Sequence, residues 1–548
     1  MKLILPFEPV LLAQILNQAG FEAYLVGGAV RDLVIQSWTQ SDLSPTTTPL
    51  VTDYDLTTNA TPEQLRALFP ESYYENQFGT VSLTHAELLT QLSLAGWSLP
   101  DQNLQTRLTN VMPTRLDRLI DLAQATKLHT SLKPKVALDD ASNQLESNGD
   151  SGLDLAHPFE ITTYRSEGLY TDHRRPEAVT WGNSITEDLT RRDFTVNAVA
   201  LKLKPEWLTQ NLAQPQQIPS AWILTEADFE LIDPHHGLAD LAARKLRTVG
   251  SAQERFAEDA LRMLRAIRLS VQLNFEIDSE TLTAISHQAE LLRHVSFERI
   301  RDEFLKMLSS QRPDYAVELL DQTGLLKVFL PEALLGKGVF QGGHHTTDVW
   351  THSLDALAAC PSFDPIVRLA TWLHDVGKPA TQATINGQIT FYNHEIVGSR
   401  IVSKIGRRLR LSTLEIDRLF LLVRLHMFHY QPENTDASIR RFMRKVGLEN
   451  IDDILDLREG DRLGSGARKT SWRLEEFKHR MIEQLHQPLD VTDLAVNGHD
   501  LMSALELKPG PILGKLLNEL FELVMEQPEL NTKEKLIELA KKLIKTAS

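Results

Sequence analysis

The sequence predicts an α+β fold in which helix dominates, and three observations carry the prediction. Strand-like runs fall within roughly the first 250 residues, where they alternate with helical apolar spacing. From Glu254 onward the apolar residues recur at almost entirely helical intervals, without an internal repeat. A chain of 548 residues also exceeds what one compact core accommodates, so roughly three or four domains are expected. The expected architecture is a small mixed β-sheet with flanking helices, followed by an all-helical remainder.

Taken in order, residues 10–20 have helical apolar spacing, and residues 21–26 form a strand-like run that ends in Gly27 and Gly28. Residues 36–52 are rich in Ser, Thr, Asp and Pro and read as an inserted loop. A strand carrying Asp53 and Asp55 follows, and the strand pattern resumes over 78–83. Residues 84–157 break the pattern and read as an insertion whose polar stretches surround one helix, over 115–124. Alternation returns at 159–164, with Glu160, Thr162 and Tyr164 on one face and Ile161 and Thr163 on the other. The expected divisions are a head over 1–250, a helical neck over 251–320, a third domain over 321–470 and a helical tail over 471–548.

Composition narrows the setting. The longest apolar runs fall far short of the roughly 20 residues that span a membrane. Residues 1–12 lack the basic start and long apolar stretch of a signal peptide. The single cysteine, Cys360, excludes an internal disulfide and a thiolate metal cluster, which fits a reducing, cytoplasmic setting. A formal charge of −16 argues against indiscriminate nucleic-acid binding, while leaving room for a local basic groove.

Three constellations carry chemistry. In the first, Gly27, Gly28, Arg31 and Asp32 precede Asp53 and Asp55. Two carboxylates one residue apart on a strand project from one face and suit a pair of hard divalent cations. Two magnesium ions there would activate an attacking hydroxyl and neutralise a departing pyrophosphate. The glycines let backbone amides approach a triphosphate, and Arg31 can fork onto phosphate. In the second, Glu187 to Ala198 contains adjacent Arg191 and Arg192 next to Asp193, and Glu258, Asp259, Arg262, Arg265 and Arg268 follow at helical spacing. Residues 258, 262 and 265, like 265 and 268, would share a helix face. A carboxylate accepts from an exocyclic amine and a guanidinium donates to a ring nitrogen or carbonyl, so such a face can select cytosine and adenine.

In order along the chain, GGAVRD, DxD, the EITTYR strand, the loop Asp172-His-Arg174-Arg175-Pro176, RRDFTVNA, Asp233-Pro-His-His-Gly237 and EDALRMLRAIR resemble the class II tRNA nucleotidyltransferases. These are the bacterial and eukaryotic CCA-adding enzymes and their poly(A) polymerase relatives. The resemblance implies a nucleotidyltransferase head in which Asp53 and Asp55 hold Mg2+, with Glu160 as a supporting third carboxylate. It implies that Gly27, Gly28, Arg31 and Arg192 contact the incoming nucleotide. It also implies that Asp259 and Arg262 pair with the base edge, and that Arg265 and Arg268 complete the pocket. The substrates implied are tRNA, CTP and ATP, and the loop over 166–176, with Gly168 as pivot, is associated with capacity for A addition. An A-adding tRNA nucleotidyltransferase, a poly(A) polymerase and an RNA-binding phosphohydrolase without transferase activity are the alternatives.

The third constellation gathers His344, His345, His352, His374, Asp375, Lys378, His394, His426 and Asp461. A contiguous His-Asp pair with histidines before and after it resembles the HD-type metal phosphohydrolases. The resemblance implies that His352, His374, Asp375 and Asp461 hold one divalent ion, with His394 and His426 left for a second ion or a substrate phosphate. Imidazole and carboxylate ligands suit nickel, cobalt, manganese, zinc or magnesium. Candidate RNA contacts are Arg293, Arg299, Arg301, Lys306, Arg407, Arg408, Arg410, Arg440, Arg441, Arg444 and Lys445.

Overall fold

The computed structural model describes residues 1–39, 54–70, 72–75, 79–83, 159–166, 180–182, 184–212, 221–341 and 347–547. Asp53, the insertion at 84–157 with its expected helix at 115–124, residues 167–176 and His344 and His345 lie outside them. The described residues fall into two compact units, the first over 1–303 with 319–329 and the second over 304–318 with 330–547.

In the first unit a seven-stranded mixed sheet runs in the order Phe229–Ile232, Ala200–Leu203, Tyr24–Val26, Tyr54–Thr58, Phe159–Thr163, Thr80–Leu83 and Tyr73–Glu75. Tyr54–Thr58 and Phe159–Thr163 are parallel, and the other neighbours are antiparallel. Leu25, Leu56, Ile161, Val81 and Leu201 lie opposite one another in register and are all buried, which gives the sheet its apolar face. The other face is covered in part. Tyr24, Val26, Ala198, Ala200, Ile185, Leu189 and Tyr164 form a second cluster there, with the helix Ile185–Thr190.

Tyr164 is fully buried on this face, in the cluster that includes Ile185 and Leu189 of the helix Ile185–Thr190. Its hydroxyl donates to Glu22 Oε2 at 2.9 Å, so burial leaves no polar atom stranded. A sequence reading is corrected at residues 36–39, which belong to the helix Gly28–Thr39 instead of the expected loop.

The second unit, among the described residues, is helical apart from one short hairpin, Ala383–Ile385 with Gln388–Thr390. Helices Val349–Ala359, Pro365–Leu373, His394–Arg408, Thr413–Leu425 and Ile451–Gly464 surround the histidine–aspartate cluster. Gly460 and Gly464 let two of them meet closely. A Cβ on Gly464 would fall 2.5 Å from the Ala356 backbone nitrogen. The final helices, Gly498–Leu505, Pro511–Glu526 and Lys533–Ala547, share a core that includes Leu501, Leu520, Val524, Leu536 and Ala540.

Candidate functional site

In the head, strand Tyr24–Val26 ends in Gly27, whose φ of +74° is a conformation that favours glycine, and helix Gly28–Thr39 begins at the next residue. A Cβ on Gly27 would lie 3.2 Å from Arg192 Nη1 and 3.6 Å from Asp55 Oδ2. The turn therefore brings a helix N-terminus, a carboxylate and a guanidinium together, an arrangement suited to a phosphate with its counter-cation.

Sheet register then supplies a second acid. Ala200, Val26, Asp55, Glu160 and Ser82 are successive partners across five strands, so their side chains share one face. Glu160, exposed, is thereby the lateral neighbour of half-buried Asp55, although 105 residues (160 − 55) separate them in sequence.

Arg31 is buried, and it donates to Asp32 Oδ1 at 2.7 Å, Asp32 Oδ2 at 2.9 Å and Asn197 Oδ1 at 2.8 Å. Arg192 donates to Asp188 Oδ2 at 3.2 Å, and Arg191 donates to Asp188 Oδ1 at 2.6 and 3.0 Å. Arg165 places its backbone N–H toward the same carboxylate. Two guanidiniums and one backbone N–H thus meet a fully buried aspartate, and the Arg165 guanidinium, which donates to Thr80 Oγ1 at 3.0 Å, adds a third positive charge nearby. Burial and the nearby Arg191 push that guanidinium down to about 10. The Nε atoms of Arg165 and Arg192 are buried without a hydrogen-bond acceptor among the described residues. Donors left over in a positive pocket fit a polyanion. Asp188 and Arg165 were not singled out from sequence. The motif strand EITTYR held the signal for Arg165, whose guanidinium completes the cluster.

The helix expected to carry Glu258 through Arg268 is two helices, Ala252–Glu258 and Leu261–Leu273. Asp259 between them is extended, at φ −143° and ψ 104°. Its carboxylate takes 2.7 and 3.4 Å hydrogen bonds from Arg299 and one of 3.0 Å from Leu261 N. Glu258 and Arg262 are therefore neighbours across a break, not along one continuous helix. Their side chains still pair, and Arg262 also donates to Arg255 O at 3.1 Å. Arg265 joins Asp193 at 2.6 Å and Arg268 joins Glu303 at 2.7 Å. Burial would push the Asp193 carboxyl up, but Arg265 outweighs it and holds the group below its usual range. Asp193 Oδ1 accepts from Asn197, which in turn accepts from Arg31, so one polar network connects the arginine helix to the glycine turn.

The second unit contains a separate cluster. His352, His374 and Asp375 are almost wholly buried, with Asp461 close against them. The distances are 3.2 Å for His352 to His374 and 3.5 Å for His352 to Asp375 Oδ2. They are 3.3 Å for His352 to Asp461, 3.1 Å for His374 to Asp375 Oδ2 and 3.6 Å for His374 to Asp461. Four ligands placed tetrahedrally about one small divalent ion would stand roughly 3.3 Å apart. His352, His374 and Asp461 bring ligand atoms within 4.8 Å of one another, as do His374, Asp375 and His426, so the donors suit one ion or two. Asp375 turns its other oxygen, Oδ1, toward His394 at 3.3 Å and His426 at 3.7 Å. Those two imidazoles meet at 3.3 Å between Nε2 atoms.

Backbone carbonyls orient these rings. Nδ1 of His374, His394 and His426 lies 2.7–2.8 Å from the carbonyls of Thr371, Phe391 and Val423, three residues back in each case. Donation from Nδ1 leaves each Nε2 lone pair pointing into the cluster, as a metal ligand requires. Without an ion, the carboxylates draw a proton onto His374, one that a bound cation would displace. Burial alone would lower His374, yet Asp375 and Asp461 overcome it and push the imidazole up to about 10. Burial and the neighbouring His374 drive His426 down to about 3. Burial opposes ionisation of Asp375, but His374 and Lys378 hold it well below the carboxylate range. Lys378 Nζ stands 2.6 Å from Asp375 Oδ2.

The basic residues expected to touch RNA divide by their contacts. Arg440 is buried against Gln484 and the Met525 carbonyl, so it serves the packing of the tail. Arg408 pairs with Glu332, Arg441 with Glu522 and Glu526, Arg444 with Glu522, Arg293 with Glu290 and Arg301 with Asp302.

Residues 23–96 and 106–247 match the poly A polymerase head domain, and 274–334 match the probable RNA and SrmB-binding site of polymerase A. Residues 344–463 match the HD domain, and 405–540 match the putative tRNA nucleotidyltransferase domain 2. The A-adding tRNA nucleotidyltransferase of Deinococcus radiodurans is 32% identical over 355 residues, covering 62% of this chain and 75% of that one. The chain belongs to the tRNA nucleotidyltransferase family. A CCA-adding enzyme of Leuconostoc citreum is 25% identical over 541 residues, 98% of this tRNA nucleotidyltransferase and 96% of the relative. That of Levilactobacillus brevis is 33% identical over 319 residues, which is 58% of this chain and about half, 53%, of the relative. The crystal structure of the Bacillus stearothermophilus CCA-adding enzyme in complex with CTP shares the fold. Its TM-score is 0.59 at 23% identity, over 99% of this chain and 98% of that one.

Proposed function

We propose that this tRNA nucleotidyltransferase adds C, C and A to tRNA 3′ ends from CTP and ATP, without a template. The observation that carries the reading is the placement of Asp55 and Glu160 on one register row, beside a glycine turn and an arginine cluster with unmet donors. Asp53 and Asp55, with Glu160 in support, would hold Mg2+, which would supply charge neutralisation at the transferred phosphorus and toward the tRNA 3′ hydroxyl. The chain's own groups do the rest. Gly27 and Gly28 leave room for the triphosphate, and Arg31 and Arg192 with Arg165 take its negative charge as pyrophosphate leaves in line. Asp259 accepts from the exocyclic amine that cytosine and adenine share, and Arg262 donates to the ring. Arg265 and Arg268 hold that surface through Asp193 and Glu303.

The cluster in the second unit supports a second activity, hydrolysis of a phosphoester, with His352, His374, Asp375 and Asp461 holding a divalent ion. Such an ion supplies Lewis acidity toward the ester oxygen. Nickel, cobalt, manganese, zinc and magnesium all suit the donor set. His394 and His426 are left for a second ion or the substrate phosphate. A single, buried cysteine fits work in the cytoplasm. Among the described residues no helix is long and apolar enough to cross a membrane.

An A-adding specialist is the second reading, favoured by the 32% identity to the enzyme of that name. Purified protein given tRNAs lacking all three terminal nucleotides, ending in C or ending in CC, with CTP and ATP supplied separately, separates the two. Full CCA addition requires incorporation of CMP on the first two ends and of AMP on the third. AMP on a CC end with no CMP on any end would establish the specialist.

A further inference from the structure

Helix His394–Arg408 starts in the histidine–aspartate cluster, where His394 Nε2 lies 3.3 Å from Asp375 Oδ1. Beyond Glu395 its sequence changes character: residues 396–414 contain Arg400, Lys404, Arg407, Arg408 and Arg410 and no Asp or Glu. That is an unusual stretch in a chain of net charge −16. Arg408 is tied to Glu332. Arg400, Lys404 and Arg407 are exposed, and among the described residues their side chains have no ion-pair partner.

Their spacing, i, i+4 and i+7, puts the three on one face of the helix. The opposite face carries Gly398, Val402 and Ile405, all buried. Three unneutralised cations thus form an outward stripe about 10 Å long, which ends about 20 Å from His394 along the helix. Other arginines nearby are neutralised, Arg424 by Glu395 and Arg418 by Asp364 and Asp453. Tyr392, 71% exposed, stands two residues before His394 and offers a ring on which a base can stack.

We propose that the outer face of helix His394–Arg408 is a phosphate-binding track that guides a single-stranded RNA end to the histidine–aspartate cluster. Arg400, Lys404 and Arg407 hold successive phosphates, and Tyr392 receives a base near the terminus. The substrate of the second activity is then an RNA end, with a free mononucleotide bound more weakly. The inference rests on the phosphoester-hydrolysing reading of that cluster.

The test uses the full chain loaded with manganese and the triple variant R400Q/K404Q/R407Q. Two substrates are compared: a 2′,3′-cyclic nucleoside monophosphate and a ten-nucleotide single-stranded RNA ending in the same cyclic phosphate. The variant should lose tenfold or more in kcat/KM on the RNA and stay within twofold on the mononucleotide. Affinity for the same RNA, read by fluorescence anisotropy between 50 and 200 mM salt, should fall. The slope of log affinity against log salt should shrink by about 2, at roughly 0.7 per lost contact. Unchanged RNA affinity would overturn the track and leave the stripe for an acidic protein partner. Equal losses on both hydrolytic substrates would overturn it too. If the parent protein hydrolyses neither substrate, the reading of the cluster fails by itself, and the anisotropy result still decides the track. Y392A, with the charges intact, should raise KM for the RNA severalfold and leave the salt slope unchanged; a KM within error of the parent would remove the stacking role.

Discussion

Gly27 is the residue on which the head's phosphate pocket turns. At φ +74° an L-residue costs on the order of 1–2 kcal/mol, and its Cβ would press on the Arg192 guanidinium at 3.2 Å. Gly27→Ala is expected to raise KM for both CTP and ATP about tenfold, since both effects move the triphosphate's partners. Steady-state kinetics check this, and an unchanged KM would detach Gly27 from nucleotide binding. Residues of this kind were legible in the sequence because the glycine pair and the arginine after it are contiguous. Asp188 was not. Nothing local marks a buried aspartate that collects Arg191 and Arg192, and Arg165 reaches it only once the strand Phe159–Thr163 is in place.

At the scale of elements, helical spacing was read correctly from Leu261 to Arg268 and wrongly across Glu258–Ala260. The segment contains neither Gly nor Pro, and its residues are compatible with helix, so local propensity gave no sign of a break. The break is tertiary in origin: Asp259 leaves helical geometry to accept two hydrogen bonds from Arg299, 40 residues away. Arg299 therefore fixes the carboxylate proposed to meet the base. Arg299→Ala should lower the preference for CTP over UTP about tenfold, within the roughly 1–3 kcal/mol that a good bidentate base contact discriminates. Competition between labelled nucleotides measures it, and an unaltered ratio would separate Arg299 from base choice. The register row of Ala200, Val26, Asp55, Glu160 and Ser82 was likewise beyond the sequence. Alternation told which face Glu160 occupies, but not which strand would lie beside it.

For the whole molecule, two clusters with different chemistry sit in two compact units, and the described residues of each lie within one unit. The histidine cluster was legible as a constellation because His-Asp is contiguous and His352 is one turn into its helix. The sharing of the two Asp375 oxygens between imidazole pairs needed four helices to assemble. Separate clusters imply separable activities. His374→Ala should abolish phosphoester hydrolysis and leave CMP and AMP incorporation within twofold, measured on one preparation. Loss of both together would contradict two independent sites.

The most direct measurement concerns the acids beside the glycine turn. Asp53→Ala and Asp55→Ala, made together in the full chain, should cut CMP and AMP incorporation by about three orders of magnitude or more, since the metal's charge neutralisation is lost with its ligands. Hydrolysis at the histidine cluster should persist. Incorporation at the parent rate in the double variant would contradict the assignment of nucleotide transfer to this head.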